Sequence, residues 1–287
     1  MERLYGLFFN CSKSKRVPTD YANGHVISYP GTTSAQGYNS GGNAVECLEI
    51  MHDLKSPELE ILRKAVAHIR IEEYKCFGTG TMITENLMLT AGHVLRPNEG
   101  TTFLASDITL HFNYETPLDG GAINTFEEYC HTYNNKNEAY HYDRNNCTYT
   151  VDEIVEIKKT ESMDYAILQV NEKFEKDHPD FTYPTLSHAD DLVAGSSLVG
   201  TLHHPHEEPK KLSFGLIKEC SSSMFKHSAH TEEGSSGASM YRVGSNENSI
   251  FGIHLRTFDK NNNSGLRIDA ISEHSDCVRS LLPRKTF

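Results

Sequence analysis

From Ala65 onward the apolar and polar positions alternate in short runs. "AVAHIRIEEY", "CFGTGTMIT", "LMLT", "DITLHF", "TVDEIVEIKK" and "DYAILQV" come first, and after a break "SSLVGTL", "KKLSFGLIKE", "SIFGIHLRT" and "GLRID" follow. Each run is about four to ten residues long, rich in Val, Ile, Thr and Phe and bounded by turn residues, which is the pattern of strands with one face in a core. Many short strands with few helical stretches predict an all-β chain built as sandwiches or barrels. The polar, proline-containing "NEKFEKDHPDFTYPTLSHADD", beginning at Asn171, divides the strands into two groups. The expected organisation is a first β subdomain over 65–170, a linker over 171–190 and a second β subdomain over 191–287.

Three segments interrupt this pattern. Residues 1–64 read as an extension, because "GTTSAQGYNSGGN" has loop composition and no period. Its end is predicted to be a short helix near 57–64: Ser56 caps, Pro57 takes the first helical position, and Glu58 lies at the positive end of the helix dipole. Residues 113–147 are a polar, Tyr-rich insertion in the first subdomain. The tail "DAISEHSDCVRSLLP" places Ile271, Val278 and Leu282 near helical spacing, with Pro283 as a stop, and predicts a C-terminal helix.

Composition narrows the function. The 37% apolar share and 20 glycines fit an ordinary globular chain of 287 residues. With 39 acidic against 27 basic residues the net charge is −12, so there is no basic footprint for a phosphate backbone, and nucleic acid is excluded as a partner. No apolar run approaches the roughly 18 residues of a membrane span. The N-terminal "LYGLFF" is too short for a secretory signal, so the expected location is cytoplasmic, or reached by a signal-independent export route. The seven cysteines are widely spaced, form no CxxC pair, and read as free thiols. "HHPH" (His203–His206) lacks a second ligand pair at metal spacing, and neither a metal nor a cofactor is expected.

The candidate chemistry starts at Thr231–Met240, "TEEGSSGASM". A hydroxyl nucleophile needs a base, an acid that orients the base, and backbone N–H groups for the oxyanion. Of Ser235, Ser236 and Ser239, only Ser236 has glycine two before and one after it, Gly234 and Gly237. That frees the backbone to aim the Gly234 and Ser236 amides at one point. In "GTGTMITENLMLTAGHV", the small-residue turn Ala91-Gly92 presents His93 at a strand end. In "SMDYAILQV", Asp164 immediately precedes an apolar strand, where a carboxylate can be buried facing a histidine.

In the order His, Asp, Ser these pieces resemble the chymotrypsin-like serine peptidases. Over about Ala65 to Leu282 the chain is most similar to the glutamyl endopeptidase branch, through "GTG", the "DxAI" around Asp164, the "GxSG" of the nucleophile segment and Gly252-Ile253-His254. The resemblance implies a double six-stranded Greek-key β-barrel with the active site between the barrels. It implies His93 as general base, Asp164 as its orienter, Ser236 as nucleophile, and the Gly234 and Ser236 amides as the oxyanion hole.

The same resemblance implies a specificity pocket. His254 and Thr231 match the family's histidine and threonine that hold an acidic substrate side chain, and His230 and Arg256 are expected to add positive character. The expected activity is cleavage of a polypeptide substrate after Glu, with Gln the lesser alternative. Three departures stand out: Ser235 replaces the aspartate of trypsin-type zymogens, Thr257 replaces a glycine on the substrate strand, and a long extension precedes the first barrel. The competing function classes are a catalytically silent peptidase-like binding module, with the insertion as its contact surface, and a single-target effector protease.

Overall fold

The computed structural model describes residues 45–46, 56–98, 100–115, 147–244, 249–259 and 262–284. The body of the expected insertion and most of the expected N-terminal extension lie outside these residues. A two-residue strand, β1 (Val45–Glu46), precedes helix α1 (Pro57–Ala65). The Ser56 hydroxyl accepts from the Leu59 amide at 3.3 Å, with Pro57 at the first helical position, so the capping signal acts as its sequence predicts. The helix buries Leu59, Leu62 and Ala65 against the core.

Six strands close the first barrel: β2 (Val66–Ile71), β3 (Cys76–Met82), β4 (Leu87–Thr90), β5 (Ile108–Phe112), β6 (Thr148–Lys159) and β7 (Asp164–Val170), in the spatial order β2-β3-β4-β7-β6-β5. All pairings are antiparallel, with β2 against β5 completing the ring. A short helix, α2 (Gly92–Leu95), follows β4. Helix α3 (Lys173–Asp177) and strand β8 (Thr185–Leu186) then lead to the second barrel.

That barrel contains β9 (Leu198–His203), β10 (Lys211–Cys220), β11 (Met224–His227), β12 (Ser239–Arg242), β13 (Ser249–Asp259) and β14 (Asn262–Arg267). Its order is β9-β10-β11-β14-β13-β12, and β9 closes the ring by pairing with both β10 and β12. In chain order this is the strand sequence of the first barrel repeated, so the chain is a chymotrypsin-like double barrel. Closure removes the exposed sheet edges that an open antiparallel sheet would present. The barrel interiors are filled by side chains such as Ile69, Leu110 and Ile167 in the first and Val199, Met240 and Phe251 in the second.

The C-terminal helical segment is divided in two, α4 (Ile268–Ser272) and α5 (Asp276–Leu281). The break has a local cause: the Ser275 hydroxyl accepts the Val278 amide and starts a new helix. Among the described residues Cys76, Cys147, Cys220 and Cys277 are free thiols, and no helix is long and apolar enough to cross a membrane.

Candidate active site

The three residues singled out in sequence come from distant parts of the chain. Helix α2 carries His93, the first residue of β7 is Asp164, and Ser236 lies in the turn before β12. The fold brings them into one hydrogen-bonded line. His93 Nδ1 is 2.8 Å from Asp164 Oδ2, and His93 Nε2 is 2.8 Å from Ser236 Oγ. The other Asp164 oxygen accepts the His93 backbone N–H at 2.8 Å, so one carboxylate fixes both the ring and the start of α2.

Burial by itself would raise the Asp164 carboxyl. The hydrogen bond from the His93 ring, the charge of that ring, the His93 amide and the charge of Arg256 together hold it below the usual carboxylate range. An ionised Asp164 keeps the proton of neutral His93 on Nδ1 and leaves the Nε2 lone pair facing Ser236. Ser236 Oγ also lies 2.9 Å from the Leu255 carbonyl, so its single proton has two acceptors in reach.

The backbone around Ser236 is strongly bent. Gly234 and Gly237 have φ of +91° and +87°, in the left-handed region that glycine alone adopts without strain. A side chain at Gly234 would also stand 2.5 Å from the His204 carbonyl. Neither the Gly234 nor the Ser236 amide donates to a protein acceptor among the described residues. The flanking chain is stitched to β13, because Gly237 N donates to His254 O and His254 N to Ala238 O, both at 2.8 Å.

The expected specificity residues fall into two groups. His254 is buried beside the Ser236 turn, and its Nδ1 lies 3.1 Å from Nε2 of a second buried histidine, His227. Burial, together with His227, His203 and His93, holds the His254 imidazole well below its ordinary range, and burial pushes His227 down to about 3. Thr231 is buried, and its hydroxyl has no hydrogen-bond partner among the described residues. His230 and Arg256 are placed differently. The His230 ring is 3.2 Å from the Glu232 carboxylate, which offsets the positive character expected of it. Arg256 is exposed on β13.

Several residues of the site escaped the sequence reading. His203 and His204 stood out there as part of a histidine run, in a loop that the family resemblance puts near the active-site cleft, but without their contacts. His203 in fact bridges Ser235 Oγ at 2.7 Å and Ser213 Oγ at 2.9 Å, and His204 Nδ1 contacts the Glu208 carbonyl. Among the described residues no group of His, Cys, Asp and Glu is placed to hold a metal ion. For His227 a signal existed: in β11 the buried positions alternate, Phe225 and His227 inward with Lys226 between them, so the period of the strand points His227 at the core.

Comparison with known proteins gives the family and the fold. The trypsin-like peptidase domain family matches residues 78–247, more than half of the chain. Among solved structures, a Glu endopeptidase in complex with MPD superposes with a TM-score of 0.51 at 14% identity, covering 71% of this chain and 85% of that one. A serine endoprotease from Yersinia pestis gives 0.53 at 10% identity over 77% of this chain and 65% of its own. Rv3671c from M. tuberculosis, in an inactive form, gives 0.50 at 15% identity over 80% and 93%. At these identities the likeness is one of fold. No curated protein matches the chain.

Proposed function

The chain belongs to the trypsin-like peptidase family, and from that premise we propose that it is a serine endopeptidase working through Ser236, His93 and Asp164. The observation that carries this reading is the unbroken line of 2.8 Å contacts from Asp164 Oδ2 through the His93 ring to Ser236 Oγ. In this mechanism Ser236 Oγ attacks the scissile carbonyl carbon and passes its proton to His93 Nε2. The Nδ1–H stays with Asp164, whose negative charge stabilises the imidazolium. The Gly234 and Ser236 amides receive the oxyanion. Collapse of the tetrahedral intermediate expels the amine, which takes the proton from Nε2. A water molecule then repeats the sequence on the acyl-enzyme.

The substrate residue before the scissile bond is proposed to be Glu, with Gln the lesser alternative. The support is the direction of the histidine pair. His227 Nδ1 is buried with no hydrogen-bond partner among the described residues. An unpaired buried N–H is costlier than an unpaired lone pair, so the His227 proton belongs on Nε2 and points at His254 Nδ1. His254 then carries its own proton on Nε2, a donor that no hydrogen bond among the described residues uses. With the Thr231 hydroxyl, this provides two neutral donors for a carboxylate or amide oxygen, without the desolvation cost of a buried fixed charge. The net charge of −12 disfavours acidic substrates at long range, so the preference rests on these local donors.

The test is fluorophosphonate labelling of the purified chain, its Ser236→Ala variant and its His93→Ala variant, followed by cleavage of a peptide library. Labelling of the wild type alone, with cuts after Glu or Gln, is the expected result. Absence of labelling in the wild type refutes the catalytic reading, and cuts after apolar or basic residues refute the pocket.

A further inference from the structure

Four successive carbonyls, from Glu233 to Ser236, are each held by a donor. Glu233 O accepts from the His206 amide at 2.6 Å, Ser235 O from the Ala238 amide at 3.0 Å, and Ser236 O from the Thr79 amide at 2.9 Å. Gly234 O accepts from the Thr79 hydroxyl at 2.8 Å. A trans peptide unit places its C=O and N–H on opposite sides. The contact on Glu233 O therefore sets the direction of the Gly234 N–H, and the contact on Ser235 O sets that of the Ser236 N–H. These are the two amides assigned to the oxyanion.

Thr79 is fully buried on β3 and supplies two of the four anchors from the opposite barrel. Its hydroxyl does more than hold Gly234 O, because the same oxygen accepts the His204 amide at 3.1 Å. His204 opens the loop whose His206 amide holds Glu233 O. In that loop His206 and Glu207 both have positive φ, 52° and 59°. Two successive non-glycine residues in the left-handed region keep that conformation only where the surroundings impose it. The loop is pinned at one end by Thr79 and at the other by Tyr114, whose hydroxyl donates to Glu207 O at 2.8 Å. The Thr79 carbonyl in turn accepts from the Thr90 hydroxyl, three residues before His93. One residue thus joins the segment of the two amides and the loop that orients it through its hydroxyl, and the strand that delivers His93 through its carbonyl.

We propose that Thr79 is a positioning residue for oxyanion stabilisation: by accepting from His204 N its hydroxyl holds the loop whose His206 N–H orients the Glu233–Gly234 peptide, and by donating to Gly234 O it fixes the next peptide unit, so that the Gly234 N–H stays aimed at the point that the Ser236 N–H faces. This rests on the peptidase reading of the site. Thr79 touches no substrate, so its loss acts on the transition state and spares ground-state binding.

The experiment uses Thr79→Val, which keeps the shape and removes the hydroxyl, and Thr79→Ser, which restores the hydroxyl. For Thr79→Val, kcat is expected to fall by about tenfold to a hundredfold with KM within about twofold, since small displacements of an oxyanion donor have effects of this order. Affinity for a peptide boronate, which forms a tetrahedral adduct on serine, should fall in parallel, and Thr79→Ser should recover both. A folded Thr79→Val chain with wild-type kcat and boronate affinity overturns the proposal. If Thr79→Val does not fold, Thr79→Ala takes its place in the same assays. A crystal structure of the hydroxyl-less variant decides independently of activity: a Glu233–Gly234 peptide that keeps its orientation refutes the role, and a turned one supports it. A wild-type chain that neither labels nor cleaves sinks the peptidase reading, while that structure still settles Thr79.

Discussion

His203 Nδ1 lies 2.7 Å from Ser235 Oγ, immediately before the candidate nucleophile, where trypsin-type zymogens carry an aspartate. Burial, with His230, Lys211 and His227 nearby, holds the His203 imidazole well below its ordinary range, so this is a contact between neutral groups. The Ser235 oxygen also accepts the Glu232 amide at 3.0 Å, which fixes the turn leading into Gly234.

Ser235→Ala leaves both the His203 ring and the Glu232 amide without that partner. The expected cost is about 1–3 kcal/mol of stability, the usual penalty for stranding buried polar groups. Urea unfolding of the variant against wild type measures it. An unchanged midpoint means that His203 finds another partner and that the contact does not hold the turn.

Gly237→Ala should be among the most damaging single changes in the chain. A Cβ there would sit 2.2 Å from the Thr90 hydroxyl and 2.3 Å from the Thr79 carbonyl, on a backbone with φ of +87°. Neither neighbour is the free end of a flexible side chain. The expected loss is about 3–5 kcal/mol together with loss of fluorophosphonate labelling. Thermal melting and labelling read the two effects separately, and a variant that melts and labels like wild type contradicts the described turn.

How far the sequence carried depended on whether a feature was local. The barrels were legible because each strand announces itself by its own alternation, and α1 because Ser56 and Pro57 are neighbours of the helix they start. His93, Asp164 and Ser236 were legible because small residues or a strand boundary mark each one locally. The contacts of His203, His227 and Thr79 were not, since they join segments far apart in sequence: His203 with Ser235, His227 with His254 and Thr79 with Gly234. The surroundings of His230 were hidden for a related reason. A charge near a pocket in sequence contributes to it only if no closer partner takes it, and Glu232 takes His230.

His227→Phe tests the relay behind the proposed pocket. The substitution removes the N–H that fixes the His254 tautomer, so the His254 proton is no longer confined to Nε2 and the pocket donor is lost for part of the population. The expected result is about a tenfold fall in kcat/KM for substrates with Glu or Gln before the scissile bond, the order of one hydrogen bond to a charged group. Slow substrates with Ala at that position should be unaffected. A uniform fall across both substrate sets would instead mean that His227 only supports the fold.

Acid stability follows from the buried imidazoles of His68, His203, His204, His227 and His254, all held below the ordinary value chiefly by burial. The folded chain keeps them neutral, whereas the unfolded chain takes up their protons below about pH 6.5. Their contribution is therefore complete above that pH and is lost as pH falls toward the folded values, which for His227 means down to about 3. Each group lowers stability by up to about 1.4 kcal/mol per pH unit in that window, and several titrate together. Asp164, held below the usual carboxylate range, adds its own loss only below about pH 4, so the two effects separate on the pH axis. Urea midpoints at pH 7.5, 6.0 and 5.0 should be flat above 6.5 and fall steeply below it. A midpoint unchanged between pH 7.5 and 5.0 would show that these histidines reach solvent or accept protons in the folded chain.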